Sequence, residues 1–179
     1  MLNFTVHSVD KAPAESQDLM QGVQAAFGFV PNLVAVMAES APLLSAYLKL
    51  SDLFNQTSLT EFERQVVLLS VSRENTCHYC VAAHCTIATM RGVPAGIVEA
   101  IRVDRLLADP RLQALRQFTR SLVATRGYPS PEVIQQFQAA GFTERNALEV
   151  VLGVGQKTLS NYTNHLAHTP VDAAFAANA

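Results

Sequence analysis

Thr60-Glu61-Phe62-Glu63-Arg64-Gln65-Val66-Val67-Leu68-Leu69-Ser70-Val71-Ser72-Arg73-Glu74-Asn75-Thr76 runs straight into Cys77-His78-Tyr79-Cys80-Val81-Ala82-Ala83-His84. Thr60 and Glu63 have the spacing of a capping box, in which the hydroxyl accepts from an early backbone N–H and the carboxylate reaches back to the N-cap. The box opens a helix through Val66, Val67, Leu68, Leu69 and Val71. Asn75-Thr76 then supplies fresh cap residues, which predicts a second helix from about Cys77 to Arg91.

The same punctuation continues on both sides. Pro42, Pro94, Pro110 and Pro131 each precede a run with apolar residues spaced by three and four, the first-turn position where a missing N–H costs nothing. Gly92, Gly127 and Gly141 close such runs as left-handed C-terminal glycines do. No run combines strict alternation with β-branched residues and a tight hairpin turn. The expectation is an all-α domain of eight or nine short helices around one shared core, spanning residues 1–179 as a single unit. Only the Ala-rich tail after Pro170 is expected to fray or to dock on a neighbouring subunit.

The composition narrows the function. A net charge of −2 offers no basic surface for phosphates, so nucleic acid is not an expected partner. Charged residues make up 16% of the 179-residue chain and hydrophobic ones 49%, against roughly 25% charged in an average soluble domain. That balance suits either a homo-oligomer with buried subunit contacts or an Ala-rich helical protein. The first ten residues lack a basic region followed by an apolar run, and no segment supplies the ~18 apolar residues of a membrane span. Three cysteines, two of them in a C-x-x-C, point to redox or metal chemistry in a reducing compartment, with the cytoplasm the expected location.

A thiol attacks only as its thiolate, so a reactive cysteine needs a neighbour that lowers its pKa from about 8.5. Capping by Thr76 would put Cys77 and Cys80 in the first helical turn, where free N–H groups and the helix dipole favour an anion. Cys77, Cys80 and His84 are spaced i, i+3, i+7 and share one face. His84 is one turn from Cys80 and two from Cys77, so Cys80 is the expected attacking thiol and Cys77 its resolving partner. Such a site suits peroxide reduction. Cys80 is oxidised to a sulfenic acid, His84 passes a proton to the leaving oxygen, and Cys77 condenses to a disulfide that an outside dithiol protein reduces. The chemistry needs no metal, flavin or haem.

C-x-x-C-x-x-x-H, with the helix that precedes it, resembles the alkylhydroperoxidase D group of the carboxymuconolactone decarboxylase-like superfamily, in its peroxidase-related branch. Gly28-Phe29-Val30-Pro31-Asn32-Leu33, Arg91-Gly92-Val93-Pro94 and Asn161-Tyr162-Thr163-Asn164-His165 extend the similarity along the chain. The resemblance implies an all-helical thiol peroxidase, a trimer or hexamer, with Cys80 peroxidatic and His84 relaying protons. One position departs from the family pattern: where the relay of the best-described members begins at a glutamate, twelve residues before the first cysteine, this chain has Gln65. Glutamine can hold His84 but cannot take its proton, which leaves water, Glu61 or Glu74 to complete the relay. Glu61 also suits a simple first-turn role opposite the helix dipole.

Other readings compete. Cys77, Cys80, His84 and His78 could hold zinc, although His78 lies about 100° around the helix from Cys77. A decarboxylase on the same scaffold would work with histidine and carboxylates and would have no use for the dithiol. A non-enzymatic oligomer could sense oxidation. Cys85, rotated off the reactive face, reads as core. His165 reads as a structural histidine or a second pocket residue, Tyr79 as a group shaping access to Cys80, and His7 and His168 as surface groups.

Overall fold

The computed structural model describes residues 2–178. Among them are nine α-helices and no strand: α1 (Ala14–Phe27), α2 (Asn32–Met37), α3 (Ala41–Asn55), α4 (Glu61–Glu74), α5 (His78–Met90), α6 (Ala95–Arg102), α7 (Pro110–Ala124), α8 (Pro131–Ala139) and α9 (Glu144–Ala167). Short 3-10 turns at Val9–Lys11 and Ala173–Asn178 flank them. No described helix is long and apolar enough to cross a membrane.

The punctuation marks fall nearly where the sequence puts them. Pro110 and Pro131 open their helices, Pro42 sits one residue inside α3, and Pro94 is the N-cap of α6. Gly92, Gly127 and Gly141 all have positive φ. The capping box is made in full, with Glu63 N–H donating to Thr60 Oγ1 and Thr60 N–H donating to the Glu63 carboxylate.

α4 is the central element, buried from Gln65 to Ser72 and packed against α5, α6, α7 and α9. Its polar residues within that stretch fold back on the helix: Ser70 and Ser72 hydroxyls donate to the carbonyls of Val66 and Leu68, so a continuous apolar run tolerates them. α9 crosses α3 and α4 at Gly153. A methyl group there would lie 2.8 Å from the Phe54 ring and 2.9 Å from Val67 Cγ1, so only glycine permits the approach.

The helices enclose two apolar clusters rather than the one expected. The first gathers α4, α6, α7 and α8 around Leu69, Ile101 and Leu115, with Phe118, Phe137 and Phe142 stacked at 4.0 and 4.6 Å. The second gathers α1, α2, the start of α3, the first turns of α5 and the tail around Met20, Met37, Leu44 and Phe175. The division arises because α5 is apolar on two faces: Ala82 and Ala83 meet the second cluster, Cys85 and Ala88 the first.

The described part of the tail is ordered against its own chain. Its last turn folds onto α5 of the same chain, Phe175 packing edge-on to Tyr79 at 6.2 Å and against Phe29 at 5.9 Å. Asp172 takes a 2.6 Å hydrogen bond from the Tyr79 hydroxyl and accepts from the Asn32 N–H at the start of α2. An aromatic ring and a carboxylate with specific receptors outweigh the weak cohesion of the surrounding alanines.

Candidate active site

The two cysteines of the motif lie at the junction of α4 and α5, and the junction differs from the expected one by a residue. α4 ends in a Schellman turn: Thr76 N–H donates to the Arg73 carbonyl and Cys77 N–H to that of Ser72. The residue at the left-handed position is Thr76, with φ 53°, a conformation that a β-branched residue adopts only under strain. Thr76 therefore does not cap α5. Its hydroxyl donates to the Asn75 carbonyl, and Cys77 becomes the N-cap residue. Cys80 stays in the first turn, as its spacing required.

Both sulfurs are buried, and all three cysteines are free thiols. Asn164, from α9, aims one amide at the pair: its Nδ2 lies 3.2 Å from Cys80 Sγ and 3.9 Å from Cys77 Sγ. The Cys80 thiol also reaches Ser160 Oγ at 3.9 Å. Asn161 is held in place by Asn75, whose Nδ2 donates to its Oδ1 at 2.9 Å. Burial alone would raise the Cys80 pKa. A hydrogen bond from Cys77, the positive charge of Lys157 and the amides of Asn164 and Asn161 overcome it and hold Cys80 well below the ordinary thiol range. Cys77 moves the opposite way, pushed up first by its hydrogen bond to Cys80 and then by burial and the Cys80 charge. The two thiols are thus displaced in opposite directions, Cys80 toward its anion and Cys77 toward its neutral form.

His84 occupies the same pocket, but no hydrogen bond joins its ring to either sulfur among the described residues. Its Nδ1 pairs instead with Gln65 Oε1 at 3.4 Å, and Gln65 Nε2 donates to Glu61 at 3.0 Å. Burial first, and the Lys157 charge second, keep the His84 pKa well below its usual value, so the ring is neutral. A neutral ring can pass a proton but adds no positive charge beside Cys80. Glu61, linked through Gln65, is the carboxylate behind His84, whereas Glu74 is engaged by Arg120 at 2.8 Å.

A cavity of about 140 Å³ opens over Cys80. Leu48, Leu68, Tyr47 and Phe175 form apolar walls, with His84, Gln156 and Lys157 as polar groups. Gln156 keeps a buried carbonyl oxygen without a protein partner. Tyr79 lines the cavity while bonded to Asp172, so it shapes access by anchoring the tail. Cys85 faces the first cluster, as expected, with its pKa pushed up to about 11, mainly by burial. His78 and His165 are exposed, the latter stacked on Tyr162, and neither enters the cavity. The sequence reading missed the contribution of α9. Asn161 and Asn164 were visible within a quoted stretch, but their direction depends on how α9 crosses α5. Lys157 carried only one signal, a lone charge in an otherwise apolar and polar-neutral helix segment.

Residues 42–121 match the Carboxymuconolactone decarboxylase family, a segment that holds the C-x-x-C-x-x-x-H and ends before α9. No curated protein matches the chain by sequence. The fold is that of an uncharacterized peroxidase-related protein from Ralstonia eutropha JMP134 with an alkylhydroperoxidase AhpD core. The two are 22% identical with a TM-score of 0.82, over 97% of this chain and 93% of that one. A peroxidase-related protein from Silicibacter sp. TM1040 is similar at 19% identity and TM-score 0.81, over 97% and 92% of the two chains. The debrominase Bmp8, solved as a C82A variant in complex with 2,3,4-tribromopyrrole, is similar at 17% identity and TM-score 0.83, over 99% and 95%. The fold is thus AhpD-like, and residues 42–121, with the two cysteines and His84, carry the pattern of the carboxymuconolactone decarboxylase family.

Proposed function

We propose that the protein is a thiol peroxidase in which Cys80 attacks, Cys77 resolves and His84 relays the proton. One observation carries the reading: two free sulfurs share one amide donor beneath an apolar cavity, with their pKa values displaced in opposite directions. Cys80 thiolate attacks the terminal oxygen of a hydroperoxide, breaking the O–O bond. The sulfur is oxidised to a sulfenic acid and the alkoxide leaves as an alcohol after taking one proton, delivered through His84. Cys77 then attacks the sulfenic sulfur, water leaves, and a Cys77–Cys80 disulfide forms. An external dithiol protein reduces it, which suits a cytoplasmic setting. The working form is a homo-oligomer, trimer or hexamer. Leu148, Val151, Tyr162 and Leu166, exposed along α9, support that reading, and sedimentation velocity measures it.

The test is a thiol count. One equivalent of an alkyl hydroperoxide should remove two thiols per chain. Cys80→Ser should stop peroxide consumption, and Cys77→Ser should halt at a sulfenic acid trapped by dimedone. Wild-type consumption in Cys80→Ser overturns the assignment. A second reading, reductive debromination of a small aromatic ring, is favoured by the walls of Tyr47, Phe27 and Phe175 around a cavity of benzene-like size. There the dithiol gives two electrons, hydrogen replaces bromine on carbon, and bromide leaves. Bromide release from tribromopyrrole by the reduced protein separates the two.

A further inference from the structure

We infer that Lys157 is the built-in counter-cation of the Cys80 thiolate, a positioning residue whose charge leaves His84 to serve as proton carrier. The inference deepens the peroxidase reading and rests on its assignment of Cys80 as the attacking sulfur.

Lys157 projects from the middle of α9 and is only 1% exposed, yet it lines the cavity that opens over Cys80. No described carboxylate lies within ion-pair distance of it; the acidic partners in the fold are held by His7, Arg64, Arg102, Arg111, Arg116, Arg120 and Arg145. A buried ammonium without a compensating charge is costly, so a partner of opposite sign is required close by.

The elements packed around Cys80 leave one candidate. On α4, Glu61 is engaged by Arg64 and Gln65. On the tail, Asp172 is bound by the Tyr79 hydroxyl and the Asn32 N–H. Tyr47, on α3, and Tyr79 are driven further toward their neutral phenols by burial and by the Cys80 charge. Cys77 is held as a thiol by the same sulfur. Arg91, at the far end of α5, borders the cavity and acts on Glu61. Cys80 is the acidic group that remains. The Lys157 charge, after burial, also helps keep His84 neutral, which leaves the imidazole free to carry a proton rather than to balance a charge.

The test is the pH profile of iodoacetamide alkylation at Cys80, mapped by mass spectrometry, in the wild type, Lys157→Met, Lys157→Arg and His84→Asn. Lys157→Met keeps the aliphatic stem and should raise the midpoint by at least about one unit, tenfold less thiolate at a pH below it. Lys157→Arg should restore a low midpoint, and His84→Asn should leave it within about a third of a unit. An unshifted Lys157→Met, or an equal shift in His84→Asn, overturns the inference. Should Lys157→Met not fold, the same alkylation profile in Lys157→Gln decides: its midpoint should rise by about a unit or more, and an unchanged value overturns the pairing. Neither measurement uses peroxide. An inactive protein with a shifted midpoint sinks only the peroxidase reading, and an active one without the shift sinks only the role of Lys157.

Discussion

Cys80 and Cys85 sit on one helix and are equally hidden from solvent, 1% and 0% exposed, yet they are opposite in character. Cys85 looks into the first cluster among aliphatic side chains, and burial pushes its pKa up to about 11 even with Arg102 pulling the other way. Cys80 faces Asn164, Asn161 and Lys157 and is held well below the ordinary range. Depth does not set thiol chemistry here; the groups that α9 brings to one face of α5 do.

The largest expected consequence is kinetic. At pH 7 iodoacetamide should label Cys80 more than tenfold faster than Cys85, because one sulfur is held below the ordinary thiol range and the other above it. Peptide-resolved labelling rates within tenfold of each other would break the comparison. Gly153→Ala should cost about 1–3 kcal/mol in urea unfolding, because the new methyl group drives α9 off Phe54 and Val67. The same displacement should slow labelling of Cys80 and leave Cys85 alone. Asn164→Leu, which removes the amide at 3.2 Å, should raise the Cys80 midpoint by about one to two units, the worth of a hydrogen bond to a charged group. An unmoved midpoint would transfer that role to its neighbours.

Stability against pH should show both characters at once. His84 has a lowered folded pKa, so below about 6.5 the unfolded chain takes up a proton that the native ring refuses, and stability falls as the solution is acidified. Cys80, also lowered, loses its contribution in the same direction, from about 8.5 downward. Cys85 has a raised pKa, so its effect has the opposite sign: stability falls as pH climbs above about 8.5 toward 11. Melting curves of His84→Gln should flatten the acid limb and those of Cys85→Ala the alkaline one. The smallest effect belongs to the junction. Thr76→Gly should gain up to about 1 kcal/mol by relieving the left-handed threonine, partly offset by glycine's entropy.

Much of this was legible in the sequence. The Thr60–Glu63 capping box, the prolines near helix starts and the three- and four-residue spacing are local signals, and local hydrogen bonding realises them. The helical turn alone was enough to set the proposed order of the thiols. The error at Thr76 came from reading a cap residue where α4 was completing a Schellman turn, a choice that depends on where one helix stops rather than on side-chain type. Lys157, Ser160 and Asn164 could not be placed, because their direction is set by the crossing at Gly153. In the tail, composition drew attention to the alanines, while Phe175 and Asp172 decide the docking onto α5 of the same chain.

The hydrogen bond from Asn164 to Cys80 spans 84 residues of chain, and that distance has a temporal meaning. During synthesis the cysteine emerges from the ribosome well ahead of the helix that ionises it. Until α9 has been made and docked, the nascent sulfur keeps the sluggishness of a free thiol. The amide contact that favours the Cys80 anion thus arrives only when the last long helix has closed over the pair.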